Sequence, residues 1–236
     1  MPALRLDKII SDTGLFSRSE AHALIRGGRV TAGGCPVRNA AQRFDPERGI
    51  ITIDGAPLEY KKFRYFMMNK PEGYVSSTSD RREKTVVDLL GEEHKKLGLF
   101  PAGRLDKDAT GLLLLTNDGE FAHKITSPLN RVDKRYFVQT DGPVTETEIE
   151  TFAQGLELRH GLKCQPAILE NTPGGVFVTV HEGKYHQVKR MMAALGKRVE
   201  QLKRVSIGGL QLDESLKPGK YRELNDEIRL ILASDS

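Results

Sequence analysis

Residues 110–119 restrict the fold more than any other stretch. Leu112-Leu113-Leu114-Leu115 is an unbroken apolar run between Gly111 and Thr116, and Asn117-Asp118-Gly119 closes it. A short run without polar alternation reads as a strand buried in a sheet, and the Asn-Asp-Gly after it reads as a tight turn. Such a strand needs neighbours. Arg64 to Met68, Tyr74 to Thr78, Lys134 to Gln139 and Val176 to Val180 are the strand candidates. Thr145 to Gln154 and Gln187 to Leu195 carry helical patterns stopped by Gly155 and Gly196. The mixture is α+β.

The first sixty residues read as a separate small unit. Leu4, Leu6, Ile9 and Ile10 form the inner side of a short helix. Ser17-Arg18-Ser19-Glu20 has the spacing of a capping box, in which Ser17 accepts from the Glu20 N–H and Glu20 reaches back. The helix it starts turns Ala21, Leu24 and Ile25 inward and ends at Gly27-Gly28, where a left-handed cap needs no Cβ. Arg29 to Thr31 reads as a strand, Ala32-Gly33-Gly34 as a turn and Pro36-Val37 as the return. Ile50 to Ile53 alternates into the turn dipeptide Asp54-Gly55. Glu59 to Phe63 is charged and short, a linker, which divides the chain into residues 1–59 and 60–236.

Composition narrows the function classes. No 18-residue apolar run is present, so no membrane span is expected. The N-terminus lacks the apolar core of a secretory signal. The two cysteines, Cys35 and Cys164, stand far apart and fit a reducing cytoplasm better than a disulfide. HExxH, CxxC and GxxxxGK[ST] are all absent, so neither a metal nor a nucleotide cofactor has support. Net charge is only +4, but it is unevenly placed. Ser17 to Arg43 holds five arginines against Glu20 alone, and Lys184 to Arg204 holds seven basic residues against Glu200 alone. Two basic stretches fit a polyanion such as nucleic acid, or equally two solvated faces.

Gly103-Arg104-Leu105-Asp106 precedes the buried strand. Those four residues alone describe a loop whose Asp caps a turn. The longer stretch GRLDKDATGLLLLTNDG, residues 103 to 119, resembles the signature of the RsuA/RluB/RluE/RluF family of pseudouridine synthases. YFMMNKPEGYVSST at 65–78, KRYFV at 134–138 and EGKYHQVKRMMAALG at 182–196 match further family motifs in the same order. At the other end, LRLDKII, SRSEAHALIRGGRVTAGG and VRNAAQRF resemble the S4 RNA-binding domain across residues 4 to 54.

The resemblance implies a small S4-like (alpha-L) RNA-binding domain followed by a catalytic domain built on a mixed, mainly antiparallel β-sheet flanked by helices. It implies isomerisation of uridine in RNA without a cofactor. Asp106 is the implied nucleophile or base, the choice staying open, and either role uses the ionised carboxylate. Lys189 takes the position of the basic partner, with Arg190 in reserve. Tyr136 matches the active-site tyrosine, able to stack on uracil and to assist at C5. Arg104 fills the gap left by a flipped nucleotide, or is a structural salt bridge. His186 and Gln187 are second supports of the site or RNA contacts, and Asp108 and Thr110 shape the loop through side-chain to backbone bonds. Arg18, Arg26, Arg29, Arg38 and Arg43, with Arg190, are the implied RNA contacts, giving affinity rather than base specificity.

ITSP at 125–128, YHQVKRM at 185–191 and the short stretch after Tyr221 resemble the family's small-subunit branch. The expected substrate is therefore 16S rRNA, in the uridine 516 class, within a partly assembled subunit and met by a cytoplasmic monomer. Large-subunit (23S) rRNA is the alternative substrate, and a non-catalytic ribosome-assembly factor the alternative function.

Overall fold

The computed structural model describes residues 3–46, 49–158 and 161–232. The chain divides into two compact units, residues 1–64 with 90–99, and residues 65–89 with 100–236. The linker reading did not contain the return of 90–99 to the first unit. Its cause is local packing. A Cβ on Gly14 would stand 2.4 Å from the Glu93 carbonyl oxygen and 3.0 Å from the Leu97 side chain, so the segment lies directly on the turn after the first helix. Leu97 and Leu99 are buried.

In the first unit, β1 (Leu4–Arg5) leads into α1 (Leu6–Asp12), then α2 (Arg18–Arg26). Leu6, Ile9, Ile10, Ala21, Leu24 and Ile25 meet in one core. The Ser17–Glu20 capping box forms in full, satisfying two backbone donors that a helix start leaves open. β2 (Val30–Ala32), β3 (Cys35–Pro36), β5 (Ile51–Ile53) and β6 (Ala56–Pro57) make a four-stranded sheet in the order β3-β2-β5-β6, while β4 (Arg43–Phe44) pairs with β1. Asp54 and Gly55 both have positive φ, the geometry of a tight hairpin. Asp7 ties the two helices. It accepts from Arg5 at 2.7 Å and lies 3.0 Å from His22 Nε2, and the Arg5 guanidinium holds its carboxyl down at about 2. The short α3 (Glu92–Lys95) completes the unit.

The second unit is one sheet flanked by helices. Its strands are β7 (Tyr65–Lys70), β8 (Phe100–Pro101), β9 (Thr110–Thr116), β10 (Lys134–Thr140), β13 (Ile168–Thr172), β14 (Gly175–Val180), β15 (Val199–Ile207), β16 (Leu210–Gln211) and β17 (Tyr221–Glu223). The main order is β13-β14-β10-β15-β9-β7-β17, with β8 on β9 and β16 on β15. β15 and β9 run parallel and every other pair is antiparallel. All four leucines of β9 are at most 1% exposed, as an apolar run without alternation requires. Burying each is worth about 1.5–3 kcal/mol. α4 (Gly119–Thr126), α5 (Glu146–Gln154) and α6 (Gln187–Ala194) are the helices, and β11 (Leu156–Leu158) pairs with β12 (Leu162–Cys164) as a separate ribbon.

Three expectations change. Tyr74 to Thr78 is no strand; only a bridge between Val75 and Thr85 remains. Asn117-Asp118-Gly119 starts a helix rather than a hairpin, because the Asp118 carboxylate accepts from the Phe121 N–H as an N-cap. The second basic stretch is not one solvated face, since β15 runs through it and buries Arg204.

Candidate active site

The strand order creates the site. β8 runs antiparallel to β9, and the chain between them, residues 102–109, turns over the start of β9 just where β15 begins to pair with it. Ser76 braces this loop from outside. Its hydroxyl accepts from the Leu105 N–H at 3.0 Å and donates to the Leu105 carbonyl at 2.9 Å. The Ala109 N–H closes the turn on the Asp106 carbonyl at 3.1 Å. Gly111 then has φ +97°, and a Cβ there would meet the Arg204 carbonyl oxygen at 2.3 Å, so only glycine lets β9 and β15 approach.

This loop presents Asp106 to a pocket of about 330 Å³, lined also by Arg104, Tyr136, Tyr185, His186 and Leu202. Lys189 Nζ lies 3.6 Å from one Asp106 carboxylate oxygen, and His186 Nε2 lies 3.5 Å from the other. Lys189 also donates to Asp108 at 2.5 Å, which holds the Asp108 carboxyl below the usual range. Asp108 therefore anchors the lysine, and its carboxyl also accepts from its own backbone N–H. Tyr136 enters from β10, where the register shifts between Arg135 and Tyr136; such a bulge re-aims the side chain after it. Arg104 is exposed at the rim and has no ion pair among the described residues, against the salt-bridge alternative.

A carboxylate, a phenol ring and a cation thus share one pocket. The family described as RNA pseudouridylate synthase matches residues 64–194, and the S4 domain matches residues 4–55. The chain belongs to the RNA pseudouridine synthases. It is 48% identical to ribosomal small subunit pseudouridine synthase A of Escherichia coli K12 over 95% of this chain and 97% of that protein. It is 44% identical to YtzG of Bacillus subtilis, named an uncharacterized RNA pseudouridine synthase, over 95% of this chain and 96% of that one. A crystal structure of a pseudouridylate synthase superposes with a TM-score of 0.67 at 40% identity, covering 97% of this chain and 99% of the other. The chain is thus an RNA-acting isomerase with an S4 domain.

Sequence reasoning passed over the cation beneath the Asp106 loop of this synthase. Lys70, at the end of β7, is fully buried and donates to the carbonyls of Pro71, Lys107 and Ala109 at 3.1, 3.2 and 2.8 Å. Burial pushes it down to about 8, opposed by the charges of Asp108 and Asp106. The signal was the Asn-Lys-Pro within the matched 65–78 segment. Glu182 was also missed. Burial pushes its carboxyl up, but donors from Lys184, the Gln165 N–H and Gln187 outweigh this and leave it below the usual range.

Other site expectations need correction. Gln187 is buried, donates to Glu182 at 3.0 Å and accepts from the Lys184 N–H at 3.1 Å, so its amide is used inside the protein and not on RNA. Thr110 reaches the Leu202 carbonyl at 3.5 Å, across the sheet rather than within the loop. Arg190 lies on α6 but does not line the pocket, which leaves Lys189 as the cation facing Asp106. In the S4 domain all five arginines are exposed. Arg29 forms a two-bond pair with Asp54 at 2.8 and 2.5 Å, and so serves the hairpin before any phosphate. Arg43 reaches the Ala3 carbonyl at 3.5 Å. Arg18, Arg26 and Arg38 make no ion pair among the described residues, and the Arg38 guanidinium lies over Gly28 at the end of α2.

Proposed function

We propose that this synthase converts a uridine of small-subunit (16S) rRNA to pseudouridine, at a position of the 516 class, with Asp106 as the reacting carboxylate. The observation that carries the reading is Asp106 itself, set at the pocket with Lys189 and His186 facing its two oxygens. A surface built only to hold phosphate gains nothing from a carboxylate there. The substrate choice draws on the relative whose name specifies the ribosomal small subunit.

The reaction breaks N1–C1′, turns the base and joins C5 to C1′; the C5 proton leaves and N1 gains one, so no outside reagent enters. Asp106 attacks C1′ or takes the C2′ proton, and Lys189 balances its charge throughout. Tyr136 covers the base as it turns and stands ready at C5. The uridine leaves its stack to enter, at a cost of a few kcal/mol, about what one aromatic contact returns. Arg104, unpaired at the rim, fills the space vacated. The enzyme acts as a monomer in the cytoplasm on a partly assembled subunit.

The test maps pseudouridine by carbodiimide labelling and primer extension on both rRNA transcripts and on partly assembled particles, with wild type and Asp106→Asn. One new stop on small-subunit RNA, absent with the variant, is expected. A stop on large-subunit RNA overturns the substrate, and an active Asp106→Asn overturns the role of Asp106.

A further inference from the structure

The pocket rim carries a large aromatic that the chemistry at Asp106 does not use. Tyr185 lines the pocket, yet it is 73% exposed. It is not a loose side chain. Its ring lies on that of His186 with centroids 3.8 Å apart and planes 19° from parallel. His186 in turn has a left-handed backbone, φ +49° and ψ +35°, as the residue before α6. A left-handed non-glycine residue is disfavoured and persists where its surroundings fix it. Here the fixing comes from below: buried Glu182 gathers Lys184, Gln187 and the Gln165 N–H, and Gln187 holds the Lys184 N–H. The loop is thus built to hold an aromatic pair at the pocket mouth, with one face of Tyr185 on His186 and the ring largely open to solvent.

We propose that Tyr185 is a stacking platform for the base of a nucleotide adjacent to the target uridine. This rests on the reading of the chain as an RNA pseudouridine synthase. When a uridine swings into the pocket, its neighbour loses a stacking partner, and a preset ring at the rim replaces it at little cost in order. Stacking accepts any base, so Tyr185 sets the position of the strand and not its sequence. His186 backs the platform and places Nε2 3.5 Å from Asp106, so the rim and the reacting carboxylate share one support.

The test crosses protein and RNA changes. Small-subunit rRNA transcripts are ligated with an abasic nucleotide on either side of the mapped uridine, and pseudouridine formation is followed with wild type, Tyr185→Phe and Tyr185→Ala. One abasic position is expected to lower wild-type kcat/KM about ten-fold or more. Tyr185→Ala should show the same loss on intact RNA and no further loss on the abasic RNA, while Tyr185→Phe, which keeps the ring, tracks wild type. Losses that multiply independently, or full activity of Tyr185→Ala on intact RNA, overturn the platform while leaving the enzyme's reaction intact; the second result leaves the ring to a protein partner. No pseudouridine with any enzyme sinks the substrate reading and this inference together.

Discussion

Lysines taken out of water carry most of what can be tested at the scale of single residues. Lys134 is 7% exposed, and its ammonium has no hydrogen-bond partner among the described residues. Burial, and then the neighbouring Arg204, push it down to about 8 from the ordinary 10.5. Between those two values the unfolded chain holds a proton that the folded chain has released. Its contribution to stability therefore rises with pH across that window, and is lost as pH falls through about 8. Urea unfolding of wild type and Lys134→Met at about pH 7 and about pH 10 should show wild type gaining on the order of 2 kcal/mol relative to the variant. A difference that stays constant with pH means the ammonium is hydrated. Lys70 is the contrasting case, because its carbonyl partners include Lys107 and Ala109 of the Asp106 loop. Lys70→Met takes the ammonium away from all three carbonyls; the Lys107 carbonyl keeps the Gly73 N–H, and the buried Ala109 carbonyl loses its bond to the ammonium at about 1–3 kcal/mol. It should lower kcat of pseudouridine formation at least about ten-fold with a smaller change in KM, since the pocket rim is untouched. An unchanged kcat would show that the loop holds itself.

At the scale of elements, the close pair β9 and β15 depends on one glycine. Gly111→Ala puts a methyl 2.3 Å from the Arg204 carbonyl oxygen at a φ of +97°, so clash and backbone strain add. About 3 kcal/mol or more of destabilisation is expected by urea unfolding. A smaller loss would mean that the strands separate easily, and with them Asp106 from its support. Ser17→Ala, by contrast, removes a cap on an exposed helix end and should cost about 1 kcal/mol. These two positions also mark what could be seen in the sequence. The Ser17–Glu20 box and the four leucines of β9 were legible because each is decided by residues adjacent in sequence. β15 was not, since Glu200, Lys203 and Arg204 disguise it as a basic surface. Arg204 is buried, with its Nε donating to the Leu112 carbonyl at 2.8 Å, on a strand 92 residues away. Asp118 misled for a related reason: the same residue suits a turn or a helix cap, and the helix that follows decides. In the site, Asp106, Tyr136 and Lys189 were reached through motif resemblance, whereas Lys70 answers to carbonyls 37 and 39 residues distant that no local pattern displays.

At the scale of the whole molecule, the proposed reacting carboxylate and the S4 domain belong to different compact units. Removing residues 1–58 is a poor way to separate them, because residues 90–99 belong to the same compact unit and buried Leu97 lies against Gly14. Removing charge without loss of fold needs surface arginines that hold nothing in place. Arg29 fails that condition through Asp54, and Arg43 in part through the Ala3 carbonyl. Arg18, Arg26 and Arg38 meet it. Each phosphate neutralised by such a side chain releases counterions, so binding weakens with salt at a slope of roughly 0.7–0.9 per contact. The triple variant Arg18→Gln, Arg26→Gln, Arg38→Gln should therefore flatten the plot of log affinity against log salt by about 2–3 on small-subunit rRNA. The rate of pseudouridine formation at saturating RNA should stay unchanged, because Asp106, Lys189 and Tyr136 all lie in the second unit. An unchanged slope would assign the phosphate contacts to the catalytic unit, where Lys203 and Arg198 are exposed. A lost saturating rate would mean that these arginines govern how the uridine is presented, and not only how tightly the RNA is held.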